Sequence, residues 1–101
     1  MDSMQNSSLD TIAFILRSNK NELTSKYPIK SLGIFGSHAY NSATEDSDVD
    51  ILVEFNGPIG LDFVLLADEL EFLLSKKVDL VSVNALKPNM YESIKTDLIY
   101  V

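Results

Sequence analysis

Ser31-Leu32-Gly33-Ile34-Phe35-Gly36-Ser37, a gap of ten residues, then Asp48-Val49-Asp50-Ile51-Leu52-Val53-Glu54-Phe55 is the stretch on which the reading of this chain turns. Residues 31–35 read as a first strand running into Gly36-Ser37. Residues 49–55 alternate as a second strand, stopped by Asn56-Gly57-Pro58. Because side chains alternate along a strand, Asp48 and Asp50 share one face with Cα atoms roughly 6.6 Å apart. Val49, Ile51, Val53 and Phe55 take the opposite face, where a helix layer can bury them. Two ionised carboxylates at that spacing repel by about 2.5 kcal/mol at an effective dielectric near 20. A structural role would leave that repulsion uncompensated, whereas a divalent cation removes it, and Mg²⁺ favours one or two carboxylates plus substrate phosphates. Gly36 and Ser37 are small enough to bring backbone N–H groups against a phosphate, and a helical turn after them would add its N-terminal partial charge. A phosphate cradle beside metal-binding carboxylates is the minimum equipment for chemistry on a nucleoside triphosphate.

Outward from this centre, Leu9, Ile12, Ala13 and Leu16 recur at helical spacing, with Ser7 or Ser8 as N-cap. Leu23 and Tyr27 extend the same face, so one helix is expected to run to about Ser25 before Pro28 ends it. Residues 61–74 are densely apolar, which predicts a helix covered on more than one face; the simplest reading is core, with the sheet as one cover and a partner protein as the alternative second cover. Val78-Asp79-Leu80-Val81-Ser82-Val83 reads as a third strand, and residues 88–99 as a last helix with Pro88 in its first turn. The expected order is αβ(α)βαβα. Asp79 is a lone charge in an apolar strand. If that strand lies beside 49–55, Asp79 completes a three-carboxylate cluster able to hold two metal ions across an in-line phosphoryl displacement, and it could take the proton of an attacking hydroxyl.

Composition narrows the partners. With 101 residues the chain is read as one domain, 1–101, without room for a second substrate domain. Its net charge of −7, with eight scattered basic residues, argues against gripping a nucleic-acid backbone. No apolar run approaches a membrane span, the N-terminus lacks the pattern of a signal peptide, and the absence of cysteine fits a cytoplasmic protein. Asp46-x-Asp48-x-Asp50 also suggests a calcium loop. Ile51 and Gly57 stand where an EF-hand starting at Asp46 needs glycine and glutamate, so that reading fails. Ser37 has no His/Asp relay in sequence that would make it a nucleophile.

Taken in order, Phe35-Gly36-Ser37, the ten-residue gap, Asp48-Val49-Asp50 and Lys77-Val78-Asp79-Leu80-Val81 resemble the signature of polymerase-β-type nucleotidyltransferases. The compact size is similar to the minimal nucleotidyltransferase (MNT) branch, the antitoxin half of HEPN/MNT toxin–antitoxin pairs. The resemblance runs from the N-terminal helix to Ile99-Tyr100-Val101. It implies an α/β (α+β) fold with a small mixed sheet flanked by helices, and Asp48, Asp50 and Asp79 as catalytic metal ligands with Gly36 and Ser37 at the nucleotide. It also implies Mg²⁺, two ions in all, with ATP as substrate and AMP transferred to a tyrosine of a HEPN RNase toxin. Alternatives are a non-catalytic antitoxin that acts by binding, and transfer to a small molecule. One difference stands out: the family commonly continues Arg-Ala-Arg-Gly after Gly-Ser, whereas His38-Ala39-Tyr40-Asn41 follows here. A Lys or Arg elsewhere, or a protonated His38, is left to replace the missing charge.

Overall fold

The computed structural model describes residues 8–39 and 47–101; Ser7, the Tyr40-Asn41 pair and the Glu45-Asp46 acidic run fall outside them. Four strands form one mixed sheet in the order β3-β2-β1-β4. They are β1 (Ile29–Phe35), β2 (Val49–Phe55), β3 (Val78–Ser82) and β4 (Ile99–Tyr100). β1 runs antiparallel to both β2 and β4, whereas β2 and β3 are parallel. A parallel pair needs a crossover rather than a tight turn. Helix α3 (Asp62–Leu74) supplies it.

The apolar side of β2 is as expected, and Leu52 on its other face is buried too. Val49, Ile51 and Val53 are fully buried, against Leu32 and Ile34 of β1 and under Ile12, Leu16, Leu23, Leu66 and Leu70 from the helices. The helices α1 (Ser8–Ser18), α2 (Lys20–Lys26) and α3 therefore cover one face of the sheet.

Two expectations change. The first helix is two helices, broken at Asn19. Asn19 turns its side-chain amide back onto the Ile15 carbonyl at 2.8 Å, and its own N–H is shared between Ile15 and Leu16 carbonyls at 3.2 Å. A short polar side chain that bonds the preceding turn competes with helix continuation. The break lets α2 redirect Leu23 into the core, 1% exposed.

The last helix stops at Lys95 instead of continuing to residue 99. Ile99 and Tyr100 pair with Ile34 and Gly33 on the free edge of β1, and the Val101 N–H donates to the Leu32 carbonyl at 3.0 Å. Gly33 permits this closure, since a Cβ there would fall 3.0 Å from Leu98 Cγ. Arg17 and Lys20 then fix the strand by donating to the Tyr100 and Val101 carbonyls at 3.1 and 2.9 Å.

Helix α3 buries Leu66, Leu70 and Leu74 along one stripe. The expected second cover is not supplied by the described residues. Leu61 and Phe72 are each 82% exposed, and Val64 and Leu65 about half exposed. Among the described residues, no helix is long and apolar enough to cross a membrane.

Candidate active site

Directly opposite residues in a sheet share a face, so the register defines what lies across from the helices. Phe35 pairs with Asp50, and Asp50 with Asp79. Phe35, Asp50 and Asp79 thus form a row across three strands, at the last residue of β1 and the second residues of β2 and β3, on the face that α1–α3 leave open. The third strand does neighbour the second, and in the register that puts the two aspartates side by side. Asp48 precedes β2 and is exposed. The start of both strands is tied by the Val49 N–H, which donates to the Lys77 carbonyl at 2.9 Å.

The electrostatics of the row are unfavourable as it stands. Burial raises the Asp50 pKa above the ordinary carboxylate value; the neighbouring charges of Asp79 and then Asp48 raise it further, and so does a hydrogen bond with Asp79. The three carboxylates expected from the sequence therefore act on one another. Among the described residues, however, no three His, Cys, Asp or Glu side chains converge closely enough to ligate one ion. What the chain provides is a half-buried, proton-hungry carboxylate with two acidic neighbours, which suits a cation arriving with its own phosphate ligands better than a closed metal cage.

Gly36 completes this arrangement. It has φ +75°, in the left-handed region, and a Cβ built on it would intrude into the Asp50 carboxylate, 2.9 Å from Cγ. Backbone and carboxylate touch only because the side chain is absent. After it, Gly36–His38 make one 3₁₀ turn, closed by the Ala39 N–H on the Gly36 carbonyl at 3.0 Å. The turn carries Ser37, half-buried.

His38 does not replace the missing arginines. It is 1% exposed, and among the described residues neither ring nitrogen has a hydrogen-bond partner. Burial and then the Lys76 charge hold its pKa below the ordinary value. The Asp48 backbone, facing the ring without a hydrogen bond of good geometry, offsets only part of this. The buried imidazole packs at the turn, and its surroundings disfavour the protonated form that would replace the missing charge.

Three residues at this end of the molecule were not singled out from sequence. Glu71 of α3 accepts the Val78 N–H at 2.9 Å and so fixes the strand residue just before Asp79. Lys76 lies close enough for its charge to act on His38. Asp97 stands beside Phe35 and Gly36 at the wall of a cleft. Each acts through tertiary closure, which leaves no periodic trace in the sequence.

A parallel strand pair bearing facing aspartates, with a glycine turn pressed against one of them, defines an enzyme of the nucleotidyl-transferring class. Comparison with known proteins narrows this. The nucleotidyltransferase domain family matches residues 16–101, and the chain belongs to that family, in its minimal branch. A Methanocaldococcus jannaschii relative, classed with the protein adenylyltransferases, is 52% identical over 95 residues, covering 92% of this chain and 97% of the relative. The protein adenylyltransferase MntA of Thermococcus cleftensis is 40% identical, covering 92% of this chain and 95% of its own. Among solved structures, a minimal nucleotidyltransferase superposes with a TM-score of 0.79 at 35% identity, over 92% of this chain and 95% of that one. The fold is shared with the MNT antitoxin of Shewanella oneidensis in complex with a tri-AMPylated HEPN toxin, at TM-score 0.58, 21% identity, and 92% and 67% coverage.

Proposed function

We propose that this chain is the antitoxin of a toxin–antitoxin pair and inactivates a HEPN-type RNase by moving AMP from ATP to a tyrosine hydroxyl of that partner. The observation that carries the reading is the row Phe35–Asp50–Asp79 with Gly36 against its centre. Adenylyltransferase relatives at 40–52% identity over nearly the whole chain support it.

Roles follow from position. Backbone N–H groups of the Gly36–His38 turn and the Ser37 hydroxyl face the phosphates. Asp50, with Asp48 and Asp79 to either side of it, would hold Mg²⁺ that arrives on the triphosphate, no one ion taking all three carboxylates; when bound, the metal supplies charge neutralisation for the triphosphate and the α-phosphorus. Asp79, at the edge of the sheet and exposed, is the group placed to accept the proton of the incoming tyrosine hydroxyl. The tyrosine oxygen then bonds to the α-phosphorus as its bond to the pyrophosphate oxygen breaks. The acceptor approaches from the β3 side.

One observation favours a second reading, neutralisation by binding alone. The exposed apolar stripe Leu61, Val64, Leu65 and Phe72 lies on α3, across the sheet from the carboxylates. A protein seated there would be bound without being presented to Asp79. Incubating the cognate HEPN protein with this chain, ATP and Mg²⁺, and weighing it intact, separates the two. The expected result is mass added in whole AMP units, lowered by about a thousandfold in rate for Asp50→Asn. An unchanged mass in a tight, toxin-silencing complex would overturn transfer in favour of binding.

A further inference from the structure

Helix α4 (Pro88–Lys95) has no fully buried residue, yet its last turn stands over the end of β1. Between them lies an open cleft of ≈ 140 Å³ lined by Phe35, Gly36, Ser93, Ile94 and Asp97. Its position is set by two residues of the site itself. Phe35 is the cross-strand partner of Asp50, and Gly36 is the residue against which the Asp50 carboxylate rests. The cleft therefore opens on the side of Asp50 opposite to Asp79, on the same face of the sheet.

Size and lining restrict what fits. At about 30 Å³ per water, the volume equals four or five waters, one five-membered ring with its substituents. It falls below the roughly 300 Å³ at which pockets begin to take a whole drug-sized ligand. Phe35 and Ile94 offer apolar surface to the carbon face of such a ring. Ser93 offers a hydroxyl and Asp97 a carboxylate, which is acceptor-only when ionised and matches a pair of vicinal hydroxyls. Asp97 lies just beyond the end of α4, where its N–H donates to the Ile94 carbonyl at 3.2 Å. In a nucleotide the pentose is joined to the α-phosphorus through O5′ and C5′ alone, so a sugar in this cleft leaves the phosphorus over Asp50.

We propose that the cleft between Phe35 and α4 is the pentose subsite of the nucleotide, and that Asp97, assisted by Ser93, reads the 2′- and 3′-hydroxyls so that the protein selects ribonucleotides over 2′-deoxyribonucleotides. The base extends past the rim, where the cleft does not read it. The proposal rests on the nucleotidyl-transfer reading above and adds to it a specificity residue.

Titration calorimetry of the full chain with ATP and with 2′-deoxy-ATP, each with Mg²⁺, tests it without requiring turnover. The wild type is expected to bind ATP about tenfold more tightly than the deoxy form, the magnitude of one charge-assisted hydrogen bond. Asp97→Ala should bring ATP down to the deoxy level, leave deoxy-ATP within twofold, and so erase the preference. Asp97→Asn, which keeps one acceptor, should retain part of it. If Asp97→Ala does not fold by circular dichroism, Ser93→Ala carries the test and should shrink the preference; an unchanged preference there overturns the proposal. Equal binding of the two nucleotides by the wild type, or a preference that survives Asp97→Ala, also overturns it and leaves the transfer reading intact. Failure of the wild type to bind either nucleotide overturns both.

Discussion

The two faces of β2 are built on opposite principles. On the helix side, Val49, Ile51 and Val53 are fully buried and Phe55 is nearly so, and each is an ordinary apolar contribution to one core. On the other side, Asp50 sits half-buried with Asp79 beside it in register and Asp48 one step before the strand, each making the ionisation of Asp50 harder. The first face is held by what it excludes from water. The second is held by the first: a strand anchored on one side can carry an unfavourable charge cluster on the other. Residues one position apart should therefore respond in opposite directions to substitution.

The sharpest way to break this contrast is Ile51→Ala against Asp50→Asn. Deleting most of a fully buried isoleucine costs about 2–5 kcal/mol, a large share of the stability of a domain this size. Removing the Asp50 charge relieves repulsion, so its melting temperature should equal or exceed that of the wild type while AMP transfer is lost. Thermal unfolding followed by circular dichroism, with transfer measured on the same samples, decides it. An Asp50→Asn protein that melts well below the wild type would mean that the carboxylate is a structural member of the fold.

Gly36→Ala comes next in size. The added methyl meets the Asp50 carboxylate and forces a left-handed backbone onto a residue with a Cβ, a cost of about 1–2 kcal/mol. The effect on transfer should exceed the effect on stability, because the displaced group is the centre of the row. Equal activity at normal stability would show that the contact between Gly36 and Asp50 is dispensable.

How far the sequence could be read follows the same division. β2 is legible because Val49, Ile51, Val53 and Phe55 share one buried face, although Leu52 on the other face is buried as well, and Asp79 is legible as a charge interrupting an apolar run. β4 was not, since two residues have no period, and Ile99 and Tyr100 continue a helix-like spacing until the free edge of β1 claims them. The break at Asn19 depends on a single side-chain amide returning to Ile15, which the apolar pattern of α1 and α2 does not register. The lowered pKa of His38 is likewise a property of its surroundings, burial and Lys76, rather than of its neighbours in sequence.

A smaller effect sharpens the link between the faces. Glu71 lies on α3, on the core side, but its carboxylate accepts the Val78 N–H immediately before Asp79. Glu71→Ala leaves that donor without its partner at a cost of about 1 kcal/mol. Transfer should slow severalfold through a lower kcat with little change in the KM for ATP, because Asp79 is placed toward the acceptor. Glu71→Gln, whose amide oxygen still accepts, should restore most of it. A Glu71→Ala enzyme with unchanged kcat would sever the supposed connection between the helix layer and the carboxylate row.

The smallest expected effect lies farthest from the row, where Glu69 of α3 joins α2. Its carboxylate receives Lys26 at 2.5 Å and the Tyr27 hydroxyl at 2.9 Å. The Lys26 hydrogen bond is the main cause that lowers its pKa, aided by Tyr27 and opposed by partial burial. A carboxylate whose folded pKa lies below its unfolded value stabilises the fold above the ordinary glutamate range, and that contribution disappears as the pH falls through it. The difference in melting temperature between wild type and Glu69→Gln should then be a few degrees at pH 7 and should shrink as the pH falls below the ordinary glutamate range. Comparing the two proteins at each pH cancels every other carboxylate, including the site cluster. A gap that stays constant across this range would mean that Glu69 holds α2 through packing and neutral hydrogen bonds, and that charge in this molecule matters on the open face of the sheet alone.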